Sequence, residues 1–215
     1  MKLVDASAMR RIEEEAEKVG LSRLLMMENA GKAIAGCVWR YYDASLNPAV
    51  LVVAGTGNNG GDGVAAARHL ATGAKVTVLL LGSMEKVKTE EAQAQWKMIK
   101  AVESMSVVEA PDQNRIESAK GLFDSSEVIV DAIFGTGVKG PVAEPQATAI
   151  KYINSSRALR IAVDVPSGLD PDTGADHGLV VKADVTVTLH AAKPGLVKRN
   201  DVVGRLVVEG IGIPE

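Results

Sequence analysis

The stretch AVLVVAGTGNNGGDG, residues 49–63, decides the fold of this protein. Its first half is an uninterrupted apolar run, and such short runs predict a strand buried on both faces, as in a parallel sheet. Its second half is rich in glycine, which predicts a tight turn opening a helix. Backbone N–H groups in such a turn can approach phosphate oxygens. The stretch therefore predicts a strand–turn–helix unit with an anion-binding turn.

Similar apolar runs, short and rich in Val and Ile, recur along the rest of the chain. They lie at residues 75–81, 107–108, 128–130, 159–163, 185–189 and 206–208. Helical patterns precede or separate them at 6–19, 22–42, 63–72, 89–102, 115–123 and 147–155. This alternation predicts right-handed crossovers and a three-layer α/β/α sandwich with a mostly parallel sheet. We expect a single domain over residues 1–215, with the strands after about residue 164 joined by loops or hairpins.

Composition excludes several classes of protein. The net charge is −3 and aromatic residues make up 3% of the 215 residues, which argues against a nucleic-acid-binding surface. No apolar run is long enough to span a membrane, and the first residues lack the pattern of a signal peptide. The single cysteine, Cys37, fits a reducing compartment. We therefore expect a cytoplasmic protein that binds neither nucleic acid nor membrane.

Acidic residues close two of the predicted strands. Asp131 is followed by the glycine loop AIFGTG, and Asp164 by the turn VPSG. Ligands of open α/β sheets bind at the carboxyl ends of the strands, so these segments and the glycine turn should meet at one edge. The turn also matches G-x-G-x-x-G, a weak signal alone, but the nearest candidate ribose-binding acid, Glu85, comes too late after the second strand. A turn that serves only the backbone remains an alternative.

Other polar residues carry weaker signals. His190 and Lys193 can face a phosphate or lie on the surface, and we expect Asp170 to be solvated. The histidines show no zinc-ligand spacing, and no nucleophile-elbow pattern surrounds any serine. Cys37 lies in a helical pattern with no evident base, which predicts a buried structural thiol.

Taken together and in this order, these segments resemble the NAD(P)H-hydrate epimerase family, also called the YjeF N-terminal domain family. The matching stretches are MENAG at 27–31, GNNGGDG at 57–63, DAIFGTG at 131–137, DVPSGLD at 164–170 and HAAKPGL at 190–196. The resemblance implies a Rossmann-like fold. It also implies an isomerase that interconverts the S and R epimers of hydrated NADH or NADPH at C6, so that a dehydratase can restore the cofactor.

The resemblance also implies a set of site residues. Those expected to contact the hydrate are Asn58, Asn59, Gly60, Gly61, Asp62, Gly135, Thr136, Gly137, Val138, Lys139, Gly140, Pro141 and Asp164. One potassium ion per subunit is expected at Asn59, Asp131 and Ser167, which offer the oxygen ligands that hard cations prefer.

Two further expectations concern catalysis and binding. Asp164 is the expected general acid/base, because a carboxylate at a strand end can be partly desolvated, and Asp62 is the second candidate. If Gly60 or Gly61 brings its backbone against a pyrophosphate, a β-carbon at either position should block the approach.

Two other functions compete with the epimerase. A hydride-transferring dehydrogenase lacks its usual ribose-binding acid here. A non-catalytic nucleotide- or protein-binding module of the same fold has no need of Asp131 and Asp164, which this chain keeps. The ending, residues 210–215, resembles the point where fused relatives continue into a dehydratase domain. We therefore expect the dehydratase on a separate chain, and a homodimer by family resemblance.

Overall fold

The structure is a computed structural model that describes residues 2–137, 140–176 and 178–214. These residues form a seven-stranded sheet of β1 (Ala49–Ala54), β2 (Lys75–Leu80), β3 (Met105–Glu109), β4 (Val128–Ala132), β5 (Leu159–Val163), β6 (Val185–Leu189) and β7 (Arg205–Glu209). The strand order is β3-β2-β1-β4-β5-β6-β7, and every neighbouring pair is parallel. The predicted α/β fold is confirmed. The order reverses direction between β1 and β4, which is where doubly wound sheets bind ligands.

Helices cover both faces of this sheet. They are α1 (Ala6–Lys18), α2 (Arg23–Tyr41), α3 (Asn58–Leu70), α4 (Glu90–Ile99), α5 (Gln113–Ser118), α6 (Lys120–Ser125), α7 (Gln146–Ser155) and α8 (Asn200–Val203). Residues of α1 to α4 share one hydrophobic core with the sheet, and residues of α5 to α7 share the other. In the described part of the chain, no helix has the length and apolar character needed to cross a membrane.

Successive side chains of the central strands belong alternately to the two hydrophobic cores. In β1, Val50 and Val52 belong to the core beneath α1 to α4, whereas Leu51 and Val53 belong to the core beneath α5 to α7. All four side chains are fully or almost fully buried. Since successive side chains of a strand point to opposite faces, a strand covered on both faces must be apolar throughout. This is why the unbroken run at 49–54 marks the centre of the sheet.

Two of the predicted helices differ most clearly from those observed. Helix α3 begins at Asn58 rather than at residue 63, so that the glycine-rich turn forms the first turn of the helix. The helix predicted over 115–123 is two short helices, α5 and α6, which meet at Ala119. Glycine has a low helix propensity, so the sequence pattern placed the start of α3 after its glycines.

The strands after residue 164 were expected to be joined by loops or hairpins. In the described residues no hairpin joins β5, β6 and β7, because these strands run parallel. Each connection returns to the opposite end of the sheet through irregular chain, with α8 as a single helical turn between β6 and β7. These crossovers bury a small core of their own. Its members are Val165, Leu169, Val180, Leu196, Val202 and Val203. That core replaces the helix which usually covers a parallel crossover.

Candidate active site

A cavity of about 690 Å³ opens at the carboxyl edge of the sheet. It is lined by residues 55–59 after β1, 133–137 and 140–143 after β4, Asp164 after β5, and Leu189 and Lys193 at and beyond the end of β6. Helices α1 and α2 close one side with residues that include Arg10, Glu13, Arg23 and Met27. The cavity lies at the switch point between β1 and β4. The segments singled out in the sequence therefore meet at one place, as expected for an open α/β sheet.

The glycine turn supplies the start of a helix to this cavity. Gly57 is the N-cap of α3, with no side chain to cap the first N–H groups. Gly57, Asn58 and Asn59 line the cavity, and Asn58 Oδ1 accepts a hydrogen bond from Thr89 Oγ1, at the N-cap of α4. Uncapped N–H groups at a helix start are ready donors for a phosphate or carboxylate.

Gly60 and Gly61, by contrast, are buried and do not line the cavity. A β-carbon on Gly60 would lie 1.9 Å from the carbonyl oxygen of Gly55, and one on Gly61 would lie 2.7 Å from Sδ of Met27. The side of each residue where a β-carbon would stand is thus filled by the protein itself. A β-carbon at either position would therefore clash with the protein around α3 and not, as the sequence predicted, with a bound ligand.

The second glycine loop forms the opposite wall. Gly135, Thr136, Gly137, Gly140 and Pro141 line the cavity. Val138 and Lys139, also predicted to contact the ligand, lie outside the described residues.

Asp131 and Ser167 lie beneath this loop, in contact with each other. Ser167 donates to the Asp131 carboxylate from Oγ at 2.6 Å and from its backbone N–H at 2.8 Å. The N–H of Phe134 donates to Ser167 Oγ at 2.9 Å, which ties the loop to this pair. Burial raises the pKa of Asp131 to about 6, and the hydrogen bonds from Ser167 and Ile133 oppose that rise.

No basic side chain pairs with Asp131 among the described ion pairs. Asn59, the third predicted potassium ligand, packs against Gly135, and its buried Nδ2 has no hydrogen-bond partner among the described residues. The described hydrogen bonds include none from Asn59 to Asp131 or Ser167. The structure thus brings two of the three predicted ligands into contact, with the third against the same loop.

Asp164 follows β5 in a left-handed backbone conformation, with φ of 63°. Its N–H donates to the carbonyl of Val187 at 2.8 Å. Its Oδ1 forms a buried ion pair with Nζ of Lys193 and accepts hydrogen bonds from Thr188 Oγ1 at 3.2 Å and from the N–H of Leu189 at 3.1 Å. Asp is one of the few residues other than Gly that tolerate this conformation, which here directs the strand-end carboxylate into the cavity wall.

Two more carboxyl groups face the same space as Asp164. Burial raises the pKa of Asp62 well above its usual value, with further contributions from the nearby Asp164, Glu13 and Glu91. Burial and the Asp164 charge also raise the pKa of Glu13. Like charges in a desolvated space disfavour ionisation, so Asp62 and Glu13 each bind a proton more tightly than a free carboxyl group does. Proton donors and acceptors are what a proton-transfer site requires.

Sequence reasoning missed the roles of Glu13 and Lys193. Glu13 is one of three consecutive acids at 13–15. It is half-buried while the other two are exposed, because each residue of α1 points in a different direction around the helix. Lys193 was predicted at a phosphate or on the surface, but it is fully buried and paired with Asp164. The only available signal was its position four residues beyond an apolar strand.

Residues assigned to structural roles behave largely as expected. Cys37 is buried, and burial raises the pKa of its thiol to about 11, so it is an inert thiol at neutral pH. Asp170, expected to be solvated, is half-buried and accepts hydrogen bonds from the N–H groups of Asp172 and Thr173 within a turn. The described residues contain no group of three or more His, Cys, Asp or Glu side chains that could hold a metal ion.

Fold and site define a Rossmann-like α/β protein with a helix start and a carboxylate cluster facing a cavity at the switch point. The chain belongs to the family described as YjeF-related protein N-terminus, whose model matches residues 23–195.

Individual relatives support this membership. The chain is 43% identical to the NAD(P)H-hydrate epimerase of Cenarchaeum symbiosum, over 98% of this chain and 95% of that protein. It is 44% identical to the bifunctional NAD(P)H-hydrate repair enzyme Nnr of Archaeoglobus fulgidus, where it spans 42% of the larger protein. The crystal structure of yeast ynu0 is similar with a TM-score of 0.82 and 26% identity, over 97% of this chain and 87% of that one.

Proposed function

We propose that this protein is an NAD(P)H-hydrate epimerase, which interconverts the S and R epimers of hydrated NADH and NADPH at C6. The observation that carries the proposal is the convergence of Asp62 and Asp164 on a cavity walled by two glycine loops. The names of relatives that match almost the whole chain support the same activity.

The two glycine loops are the proposed binding surface for the hydrate. This surface consists of Asn58, Asn59, Asp62, residues 135–141 and Asp164, with uncapped N–H groups of α3 placed to meet phosphate oxygens. Three basic side chains that line the cavity, Arg10, Arg23 and Lys88, supply positive charge for a pyrophosphate. In this proposal Gly60 and Gly61 act by letting α3 approach the sheet and α2.

The chemistry follows from the structure of the substrate. C6 of the hydrate is bonded to both a hydroxyl group and the ring nitrogen. Protonation of the hydroxyl lets it leave as water, with the nitrogen lone pair forming the C=N bond. Addition of water to the opposite face, with loss of a proton, gives the other epimer. We propose Asp164 as the acid/base group at this carbon and Asp62, whose pKa is raised, as a second proton carrier.

Epimer exchange measured by chiral chromatography tests the proposed function. Purified protein should bring a single epimer of hydrated NADH or NADPH to the equilibrium mixture faster than a reaction without enzyme. Because the hydrate epimerises spontaneously, the rate without enzyme is subtracted. An exchange rate equal to this background, for both hydrates, would refute the activity.

We also propose that Asn59, Asp131 and Ser167 hold one potassium ion per subunit. The residues present fit such an ion, since they offer a buried carboxylate, a hydroxyl group and a buried amide. Among the described residues, the carboxylate has no basic partner and the amide Nδ2 has no hydrogen-bond partner. Rotation of the Asn59 amide exchanges its nitrogen for an oxygen at that place. A bound cation would offset the buried negative charge of Asp131 and hold the loop that Ser167 anchors.

Potassium should therefore stabilise the folded protein more than sodium does at equal ionic strength. A ligand that binds only the native state stabilises it by mass action. Thermal melts in the two chloride salts measure the difference. Asp131→Asn should remove this difference while the protein still folds. Equal melting temperatures of the parent protein in both salts would contradict a selective potassium site.

The partner proposals rest on similarity. We propose that an NAD(P)H-hydrate dehydratase consumes one epimer, which fits relatives named as bifunctional repair enzymes. A homodimer in the cytoplasm is the proposed working state.

Asp62→Asn should lower epimerase activity by about tenfold or more and still raise stability at neutral pH. The folded protein binds the Asp62 proton more tightly than the unfolded chain does, since its pKa is raised on folding. The stability that Asp62 contributes is thus full below the unfolded pKa and is lost as pH rises towards the folded one.

Thermal melts of parent and variant between pH 4 and 8 check this sign. The advantage of Asp62→Asn should be small near pH 4 and grow with pH. The melting temperature should rise by about 2–4 °C for each kcal/mol that the substitution adds to the free energy of unfolding. A variant less stable than the parent at pH 8 would contradict the raised pKa of Asp62.

A further inference from the structure

Lys193 has no capacity left for a ligand. Its side chain is 1% exposed, although the residue lies at the cavity wall. Its ammonium group donates to three acceptors: Asp164 Oδ1, Thr188 Oγ1 at 3.1 Å and the carbonyl of Leu189 at 3.0 Å. An ammonium group has three N–H bonds, so all of them are used. Lys193 therefore acts on the site through these three partners.

In the part of the chain that the structure describes, the Asp164 carboxylate is held at one of its two oxygens. The described hydrogen bonds to this carboxylate come from Lys193, Thr188 and Leu189, and all of them end on Oδ1. The backbone of Asp164 is tied separately to Val187. Oδ2 is therefore the atom of Asp164 left to meet a ligand in the cavity. Fixing one oxygen in this way sets the direction of the other.

The charges around Asp164 oppose one another. Glu13 of α1 and Asp62 of α3 face it with negative charge, and each has a raised pKa to which the Asp164 charge contributes. Other charged groups also shift the pKa of Glu13 or Asp62: Arg10, Arg23 and Glu91 lie at the cavity rim, and Lys193 lies at its wall. Of these groups, Lys193 forms an ion pair with Asp164. Lys193 thus supplies the opposite charge in direct contact with Asp164 within this acidic cluster.

We infer that Lys193 is a positioning residue of the proposed epimerase. Its ammonium group holds Oδ1 of Asp164 within the carboxyl cluster and leaves Oδ2 to face the reacting carbon. This inference rests on the proposed function for its kinetic consequence, but the ion pair itself is independent of any activity.

Lys193→Met, which keeps an unbranched chain without the charge, tests the inference. We expect kcat to fall about 10- to 100-fold while KM changes less than about threefold, because proton transfer is impaired and binding is not. The acid limb of the kcat–pH profile should move to higher pH by about 1–3 units, the range over which a neighbouring opposite charge shifts a carboxyl group. Lys182→Met, at an exposed lysine, is the matched control and should behave as the parent.

A double-variant cycle separates positioning from general damage. In the Asp164→Asn background, where the carboxylate is absent, Lys193→Met should lower kcat by less than about threefold. Equal losses in both backgrounds, with an unmoved pH limb, would overturn the inference and leave Lys193 a purely structural residue. Unchanged kcat in the single variant would overturn it as well. If Lys193→Met does not fold, Lys193→Gln, which keeps a donor for Thr188, takes its place.

A carbon-13 NMR titration of the Asp164 carboxyl group provides a readout without turnover. Its midpoint should rise when Lys193 is replaced. An unshifted midpoint would overturn the inference, whatever the activity. An unmeasurable epimerase rate in the parent protein, together with a shifted midpoint, would refute the proposed function and leave the role of Lys193 standing.

Discussion

Asp164→Asn should lose about 10²- to 10⁴-fold in epimerase activity, the typical contribution of a positioned acid–base group. The substitution keeps the size of the side chain and its oxygen for the hydrogen bonds from Lys193, Thr188 and Leu189. It removes the ability to exchange a proton with the substrate. Epimer exchange, corrected for the spontaneous rate, measures the loss, and ADP-ribose or NADP binding should stay close to that of the parent.

Asp124→Asn is the matched control for this variant. Asp124 is exposed on α6 and pairs with Lys120 on the surface, where an ion pair contributes little to stability. Its activity and melting temperature should equal those of the parent. If Asp164→Asn epimerises within about threefold of the parent, Asp164 only orients the ligand, and Asp62 becomes the leading acid/base group.

Gly60→Ala should destabilise the fold by about 3 kcal/mol, at the upper end of the range for overpacked substitutions. The new β-carbon would stand 1.9 Å from the Gly55 carbonyl oxygen, and backbone on both sides cannot move aside as a flexible side chain can. The gain in helix propensity from Gly to Ala, up to about 1 kcal/mol, is too small to offset this clash. Thermal melts should show a loss of roughly 6–12 °C.

Gly57→Ala provides the comparison within the same turn. A β-carbon on Gly57 would meet no atom of the described residues within 4 Å, and the φ of −102° at Gly57 suits any residue. This variant should melt within about 2 °C of the parent. Equal stability of the two variants would mean that Gly60 is not required for packing. In that case the reading of Gly60 as a ligand-contacting glycine would regain support.

Much of the fold could be predicted, because a strand that is buried on both faces of the sheet has a recognisable, continuously apolar sequence. A central strand such as β1 must be apolar at every position, and each of the six predicted helices has a described counterpart. The clustering of Asp164 with the glycine turn followed as well, since parallel strands bring their carboxyl ends to one edge. The parallel course of β6 and β7 did not follow, because irregular crossovers carry no periodic signal.

Which glycines of the turn face the cavity could not be predicted from the sequence. Glycines at 55, 57, 60, 61 and 63 look alike in sequence, yet Gly57 lines the cavity and Gly60 lies against backbone. Which of them faces a ligand depends on the direction in which each α-carbon points, and α3 sets that direction by starting at Asn58. A pattern of residue types contains no such direction.

The sequence by itself determined the α/β class, the parallel core, the edge where the ligand cavity forms and the family resemblance, because each depends on residue type and order along the chain. Only the tertiary structure decided that Lys193 is buried against Asp164, that Glu13 and Asp62 share its space, and that Ser167 contacts Asp131. Each of these pairs joins residues far apart in the chain. Their charges interact through a space that exists only once the sheet, its crossovers and α1 have closed around it.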